Sequence, residues 1–149
     1  MNLFGMLELS GSALTAERQR AEVVTSNMAN AQTTRTPEGG AYRRQLVIFR
    51  AQRMRQFPFL LASLGNGGMS HVATRGVRVD QVVADPAAPL VRYEPGHPDA
   101  DARGYVSYPA INPVEEMTDL LGAVRSYELN ASAVQAAKSM IQASIDIVR

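Results

Sequence analysis

Apolar and small residues recur in steps of three and four along the first thirty or so positions of the chain. A period near 3.5 residues keeps one stripe on one face of a helix, so this spacing predicts a helix over residues 3–30 that packs against other helices. The row contains Leu3, Leu7, Ser10, Leu14, Ala21, Val24, Met28 and Ala31, and Glu17 is its one interruption.

A second row of the same period predicts a longer helix at the C-terminal end. The row contains Met117, Leu120, Val124, Tyr127, Ala131, Val134, Lys138, Ile141, Ile145 and Val148. At about 1.5 Å per residue, such a helix is longer than a small domain is wide. It therefore either forms a hairpin with the first helix or packs against other subunits, and an ordinary core helix is the alternative.

The start of this second helix is marked by local signals. Asn112 is a good N-cap residue, and Pro113 fits the first helical position, where a missing N–H costs nothing. Glu115 lies three residues after the cap, where its carboxylate can accept a hydrogen bond from the Asn112 backbone N–H. Glu116 adds negative charge near the positive end of the helix dipole.

The segment between the two helices has the alternating pattern and turn residues of short strands. Strands are predicted at residues 42–49, 76–83, 90–94 and 104–108. Val77, Val79 and Gln81 are expected on one face of the second strand because side chains alternate along a strand. The sequence therefore predicts an α+β protein in which long N- and C-terminal helices pair as a coiled-coil-like hairpin around a small β-rich middle domain. The predicted divisions are a helical arm at 1–32, a middle domain at 33–111 with a variable loop at about 50–70, and a helical arm at 112–149.

The stretch TSNMANAQTT, at residues 25–34, lies where the first helix should end. Asparagine can adopt the left-handed conformation that closes a helix, and Asn and Thr side chains bond local backbone groups. Asn27 and Asn30 share one helix face and are placed to pair with polar groups across a subunit contact. Gly39 and Gly40 are expected to supply the bend that leads into the strands.

Positive and negative charges are unevenly distributed along the chain, although the net charge is only +1. Eight arginines and one acid lie between residues 35 and 78, and eight acids and two arginines lie between residues 80 and 119. These blocks can pair within one chain or between neighbours, and they favour self-complementary packing over capture of a highly charged ligand. The small net charge predicts no general attraction to nucleic acid. The absence of cysteine excludes a disulfide framework and a cysteine nucleophile.

The N-terminal segment does not resemble a cleaved secretory signal, because it has no basic residue before Arg18 and carries Glu8 within it. The longest apolar run, around residues 57–64, is far shorter than the roughly 20 residues that span a bilayer. We therefore expect no direct membrane insertion. If the protein acts outside the cytoplasm, we expect an export route that needs no cleaved signal.

The most catalytic-looking cluster is EPGHPDAD, at residues 94–101. Imidazole and carboxylate groups of His97, Asp99 and Asp101 could bind a divalent cation, as in a metal-dependent hydrolase. Their spacing matches neither an EF-hand loop nor a helical His pair. Pro95, Gly96 and Pro98 instead favour a rigid turn in which the aspartates bond backbone N–H groups. The sequence therefore predicts no metal site, no cofactor and no enzymatic activity.

Two long motifs resemble a known family. SGSALTAERQRAEVVTSNMANAQTTRTPEGGAYRRQLVIF resembles the N-terminal region of bacterial flagellar rod, hook and filament-type axial proteins. PGHPDADARGYVSYPAINPVEEMTDLLGAVRSYELNASAVQAAKSMIQASIDI is similar to the proximal-rod members of that family. The motif positions are Ser26, Asn27, Ala29, Asn30, Pro37, Gly39, Gly40, Pro95, Gly96, His97, Pro98, Asp99, Asn112, Glu115 and Glu116. Residues 50–70 depart from the family pattern.

The resemblance implies a structural subunit of the flagellar rod, which crosses the periplasm as a driveshaft and is exported through the type III apparatus. Implied partners are other copies of the chain, other proximal- and distal-rod proteins, motor-ring and rod-base components, and the export apparatus. The helix positions expected to carry assembly are Leu7, Leu14, Ala21, Val24, Met28, Met117, Leu120, Val124, Tyr127, Ala131, Val134, Ile141 and Ile145. From the residues alone, a soluble helical-hairpin adaptor or chaperone-like module is the alternative.

Overall fold

The computed structural model describes residues 3–53 and 75–148, and most of the predicted variable loop lies outside them. The elements are helix α1 (Leu3–Ala29), strands β1 (Gln45–Arg53), β2 (Arg75–Ala84), β3 (Leu90–Tyr93) and β4 (Tyr105–Tyr108), and helix α2 (Pro113–Val148). The predicted α+β class, with terminal helices flanking antiparallel strands, is confirmed.

Helices α1 and α2 pack against each other in an antiparallel pair. Asn27, near the end of α1, bonds Glu116 in the first turn of α2, and Arg20 reaches Asp119 one turn later. Because α1 has 27 residues and α2 has 36, α2 extends beyond the start of α1 by about 13 Å.

Small residues fill most of the contact between the two helices. The buried positions along the two helices include Ser10, Ala16, Val24, Ala123 and Ala137. Small side chains allow two helix backbones to approach closely, since the interaxial distance depends on the side chains at the contact. The fully buried positions of the helix pair are therefore mostly small, and Leu120, Val134 and Ile141 of α2 are only half-buried.

Strands β1 and β2 form an antiparallel hairpin that contacts α1. The N–H of Val77 donates to Ser12 Oγ at 3.1 Å, which fixes β2 to the helix. A β-bulge interrupts the register: Ile48 pairs with Gln81, but Phe49 pairs with Val79. Paired residues lie on the same face of the sheet, and Ile48 and Phe49 lie on opposite faces because they are consecutive. Their partners Gln81 and Val79 therefore lie on opposite faces, and the prediction that Val79 and Gln81 share a face is wrong.

Side-chain hydrogen bonds and two glycines shape the turn that follows α1. At the end of the helix, the Ser26 carbonyl accepts from both Nδ2 of Asn30 at 2.9 Å and the Asn30 backbone N–H at 3.1 Å. Gly39 and Gly40 have φ angles of 93° and 78°, which confirms the predicted bend. Within the described ranges no residue other than glycine has a positive φ, so the predicted left-handed asparagine is wrong.

The Tyr42 N–H bonds the Thr33 carbonyl at 3.0 Å within this turn. The first strand therefore begins three residues later than predicted, at Gln45.

Strands β3 and β4 form a second antiparallel hairpin, and its connecting loop closes at Gly104. Gly104 has a φ of 82°, and a Cβ there would lie 2.9 Å from a ring carbon of Tyr93. The rings of Tyr93 and Tyr105 meet edge to face with centroids 5.3 Å apart. Glycine is therefore required at this position for both backbone and packing reasons.

Candidate functional site: a buried polar joint

The end of α1, the start of β1 and the first turn of α2 meet at a cluster of polar side chains that we call the polar joint. It consists of Asn27, Tyr42, Arg44 and Glu116, together with the backbone of Gln45. Asn27 and Glu116 are each only 1% exposed. Buried polar groups are tolerated when their hydrogen-bonding capacity is used, so the contacts of each group decide whether this cluster stabilises the fold.

Asn27 uses all of its side-chain capacity within the polar joint. Its Oδ1 accepts from the Gln45 N–H at 2.8 Å and from the Tyr42 hydroxyl at 3.2 Å. Its Nδ2 donates to the Gln45 carbonyl at 2.9 Å and to Glu116 Oε2 at 3.0 Å. A carboxamide offers two donors and two acceptor lone pairs, so Asn27 is fully satisfied. It ties α1 to the first residue of β1 and to α2 at once.

Glu116 carries the buried negative charge of the polar joint. Its Oε1 lies 2.6 Å from both Nε and Nη2 of Arg44. Arg44 Nη2 also lies 3.7 Å from Asp119, which accepts from Arg20 Nη2 at 3.2 Å. Charge-assisted hydrogen bonds of this kind are about twice as strong as neutral ones. The predicted role of Glu116 was a charge at the helix dipole, and its burial against Arg44 is an additional finding.

The start of α2 has the predicted cap. Asn112 Oδ1 accepts from the Val114 N–H at 3.1 Å, which confirms Asn112 as the N-cap. Glu115 Oε1 accepts from the side-chain Nδ2 of Asn112 at 3.1 Å, where the prediction had placed the backbone N–H. Local sequence therefore determines where α2 begins, while the polar joint connects that beginning to the rest of the chain.

The two charge blocks of the sequence pair with each other inside the chain. Besides the contacts of Arg44, Arg50 lies 2.7 Å and Arg78 lies 3.3 Å from Asp80. Arg35 lies 3.9 Å from Asp99. Four arginines of the basic block therefore reach acids of the acidic block without a second subunit.

The row predicted as the seam of α2 is divided between two faces. Leu120, Val134 and Ile141 are half-buried, whereas Met117, Val124, Tyr127, Ala131 and Ile145 are exposed. The residues that directly precede Met117, Val124, Ala131 and Lys138 in the sequence face inward. They are Glu116, Ala123, Asn130 and Ala137. Helix α2 thus presents small and polar residues at these inner positions, with Leu120, Val134 and Ile141 half-buried on the same side, and the other large apolar residues of the row are exposed.

Four exposed apolar residues near the start of α2 lie on one face, and we call them the outer apolar row. They are Val114, Met117, Leu121 and Val124, with exposed fractions of 72%, 54%, 57% and 43%. Their spacing of three, four and three residues is that of a helix-packing stripe. This row has no covering element among the residues that the structure describes.

The predicted row on α1 is better covered. Val24 is buried, and Leu7, Leu14, Ala21 and Met28 are half-buried. Ser26, Ala29 and Pro37 of the family motif are not buried, and Ser26 Oγ lies 3.5 Å from the Tyr42 hydroxyl at the rim of the polar joint. The two asparagines of the motif therefore differ: Asn27 points into the molecule and Asn30 closes the helix end.

The loop at residues 94–104 is held by hydrogen bonds of its own acidic residues. Asp101 Oδ1 accepts from the N–H groups of Arg103 and Tyr105, both at 2.8 Å, as predicted for a turn. Asp99 Oδ2 instead accepts from the Thr34 hydroxyl at 2.7 Å, which fixes the loop to the segment after α1. His97 Nδ1 accepts from the Asp99 N–H at 3.1 Å. Across the described ranges, no three His, Cys, Asp or Glu side chains are grouped as a metal site would require.

One tyrosine at the base of this loop has a shifted pKa. The Tyr108 hydroxyl donates to Glu94 Oε2 at 2.7 Å, and this hydrogen bond raises the pKa of Tyr108 above its ordinary value. Arg92 lies 5.1 Å from the ring centroid and acts weakly in the opposite direction. Pro95, Gly96 and Pro98 occupy the exposed side of the turn.

Neither α1 nor α2, as far as the structure describes them, has a stretch long and apolar enough to cross a bilayer.

Comparison with known proteins gives consistent matches at both ends of the chain and along its whole length. A family described as flagella basal body rod protein matches residues 7–35, and one described as flagellar basal body rod FlgEFG protein C-terminal matches residues 102–147. The flagellar basal-body rod protein FlgC of Borreliella burgdorferi is 38% identical over all of this chain and 99% of its own length. The FlgC proteins of Bacillus subtilis and Escherichia coli are 39% and 38% identical, over 99% and 95% of this chain and 99% and 94% of their own lengths. The chain therefore belongs to the flagellar basal-body rod protein FlgC family, whose members are structural subunits of the rod.

Proposed function

We propose that this chain is a subunit of the proximal rod that packs its terminal helices against neighbouring axial subunits and transmits motor torque toward the hook. The observation that carries the proposal is the outer apolar row, which α2 presents to the outside on a chain of the FlgC family. The role that we propose is mechanical and involves no catalysis, because the relatives that the chain matches along its whole length are basal-body rod proteins.

The outer apolar row is suited to a subunit contact by its extent. Its four residues span about 15 Å along one face of α2. Each side chain is already partly covered in the isolated chain, so complete burial would contribute about 1 kcal/mol per residue. A helical polymer needs contacts between unlike patches, and this row and the better-covered α1 surface are unlike.

The partners that we propose follow from this role. They are other copies of the chain, the other proximal- and distal-rod proteins, and components of the motor ring and rod base. We propose that the subunit reaches the periplasmic part of the basal body through the flagellar type III export apparatus, without a cleaved signal peptide.

The substitution Leu121→Asp tests the proposed contact. It places a charge in the outer apolar row at a site that is exposed in the isolated subunit, so folding should change by less than about 0.5 kcal/mol. We expect export to continue while rod incorporation and swimming are lost. The assays are secretion into the medium, circular dichroism of the purified subunit and motility of a complemented deletion strain.

A matched control is Ser132→Asp, which places the same charge on the same side of α2 about three turns further on. It should leave swimming close to normal because Ser132 lies outside the outer apolar row. Normal motility of the Leu121→Asp strain would contradict the proposal. Equal loss of motility in both strains would show that the outer apolar row is not the determinant.

A further inference from the structure

The β3–β4 hairpin lies apart from the other helices and strands. Among the residues that the structure describes, no Cα atom of β3 or β4 lies within 8 Å of a Cα atom of α1, α2, β1 or β2. Two linkers without regular secondary structure, residues 85–89 and 109–112, join the hairpin to β2 and to α2. They contain Pro86, Pro89 and Pro109, whose fixed φ angles stiffen them. The hairpin is therefore placed by its linkers and by the contacts of its free end.

Most polar side chains of the hairpin bond within the hairpin itself. The Tyr108 hydroxyl reaches Glu94 from one strand to the end of the other, at 2.7 Å. Asp101 closes the connecting loop through the N–H groups of Arg103 and Tyr105. These contacts make the hairpin complete in itself, and they do not attach it to the rest of the chain.

Asp99 makes the polar attachment of the hairpin to the rest of the chain. Its Oδ2 accepts from the Thr34 hydroxyl at 2.7 Å, and its Oδ1 lies 3.9 Å from Arg35, whose side chain is 80% exposed. Within the described ranges, no other hydrogen bond or ion pair joins residues 90–108 to the remaining residues. A hydrogen bond to a charged acceptor is strong, whereas an exposed ion pair contributes little, so Thr34 is the main anchor.

Thr34 is itself held in place by the turn between α1 and β1. The Thr33 carbonyl accepts from the Tyr42 N–H at 3.0 Å, and the Thr36 N–H donates to the Gly40 carbonyl at 2.9 Å. Backbone hydrogen bonds thus close the turn on both sides of Thr34. Asp99 therefore fixes the hairpin to the same turn that supplies Tyr42 to the polar joint.

Apolar burial in the hairpin is limited and lies toward α2. All four residues of β3 are exposed, and Val106, at 1% exposure, is the one buried residue of β4. Pro109 and Ile111 are buried in the linker that leads to α2. Regions with few buried apolar contacts are the ones that open independently of the rest of a fold.

We propose that the β3–β4 hairpin opens as a separate unit and that the Asp99–Thr34 hydrogen bond is the clasp that keeps it closed. When this bond breaks, the hairpin turns about its two linkers and exposes Val106, while α1 and α2 stay packed. This device is a property of the isolated subunit and does not depend on the proposed rod contact.

Cysteine labelling of the isolated subunit tests the clasp, because the chain has no cysteine of its own. Val106→Cys places a thiol at the buried position, where a maleimide reacts only after local opening. Thr34→Val removes the donor of the clasp at nearly constant side-chain volume. We expect it to raise the labelling rate about tenfold with the helical circular dichroism signal kept, because a hydrogen bond to a charged group is lost. Thr34→Ser keeps the hydroxyl and should retain the native rate.

Two controls separate opening of the hairpin from general loss of stability. Thr36→Val makes the same substitution two residues further on, where the hydroxyl lies 3.3 Å from the Gly40 carbonyl of its own turn, and it should leave the labelling of Val106→Cys unchanged. Ala123→Cys reports on the helix pair, since Ala123 is 1% exposed. Its labelling rate should be the same with and without Thr34→Val.

An unchanged labelling rate at position 106 in the Thr34→Val chain would show that the hydrogen bond does not hold the hairpin. An equal rise at positions 106 and 123 would show that the hairpin does not open separately. If Val106→Cys prevents folding, spin labels at the exposed positions Gly96 and Arg18 decide. Thr34→Val should then broaden the distribution of distances between them, and an unchanged distribution would equally overturn the proposal.

Discussion

Removing the positive partner of Glu116 should destabilise the isolated subunit far more than removing both members of the pair. The perturbation is Arg44→Met, which keeps much of the side-chain length but removes the guanidinium. Among the residues that the structure describes, Glu116 would then retain a single neutral side-chain donor, Asn27 Nδ2 at 3.0 Å, for a carboxylate that is 1% exposed. A buried charge without its partner cannot recover the hydration that it lost on folding.

The expected magnitude follows from the burial of the two side chains. Breaking a buried ion pair by removing one partner costs about 3–5 kcal/mol. Arg44 is 24% exposed, so water can partly reach the vacated position, and we expect a loss near 3 kcal/mol. A domain of this size has a free energy of unfolding of roughly 5–15 kcal/mol, so the loss is a large fraction of the total. The double variant Arg44→Met with Glu116→Leu should lie within about 1 kcal/mol of the native chain.

Urea unfolding followed by far-ultraviolet circular dichroism measures these differences. The matched control is Arg18→Met, since Arg18 pairs with Glu22 at 2.9 Å on the exposed side of α1. Exposed pairs contribute little, so this control should cost less than about 0.5 kcal/mol. The reasoning would be refuted if Arg44→Met cost no more than the control. It would also fail if the double variant were no more stable than Arg44→Met alone.

Two further predictions concern the second hairpin. Gly104→Ala should cost more than about 1 kcal/mol, because its φ is positive and the added Cβ would meet the tyrosine ring at 2.9 Å, whereas Gly122→Ala should stabilise the helix by up to about 1 kcal/mol; equal effects in urea unfolding would contradict this. The raised pKa of Tyr108 means that its hydrogen bond contributes fully below the pKa of an unfolded tyrosine and is lost as pH rises through the higher folded pKa. Tyr108→Phe should therefore remove the most alkaline part of the tyrosinate absorbance titration, and an unchanged titration midpoint and shape would refute the assignment.

The parts of the fold that local sequence controls were predictable. The start of α2 follows from the Asn112–Pro113 pair, and the bend before β1 follows from Gly39 and Gly40, because caps and turns depend on neighbouring residues. The bulge in β2 was not predictable from alternation. Asp80 lies at this bulge and is 2.7 Å from Arg50 on the opposite strand, and such cross-strand contacts are not encoded in the pattern of one strand.

The polar joint was only half predictable. Asn27 and Glu116 both belong to the motifs that resemble the flagellar axial family, but their pairing across 89 positions leaves no local signal. Each lies one position before an apolar residue of its predicted row, Met28 and Met117. The sequence signal for the pair is a polar residue directly before a residue of the predicted apolar row, on both helices. On its own, this signal does not distinguish a buried polar residue from a solvated one.

The periodicity of α2 identified a packing stripe but not what the stripe packs against. The predicted row contains both half-buried and exposed residues of α2, and hydrophobic spacing gives both the same period. Glu116 lies on the inside, where Arg44 and Asn27 compensate its charge, and half-buried Leu120, Val134 and Ile141 lie on the same side. Met117 and Val124 lie outside. In a rod subunit, this division leaves the outer apolar row on the surface, available for the contact that we propose with a neighbouring subunit. An apolar stripe in such a sequence is therefore not by itself evidence of a core, and we propose that the outer apolar row is an assembly face.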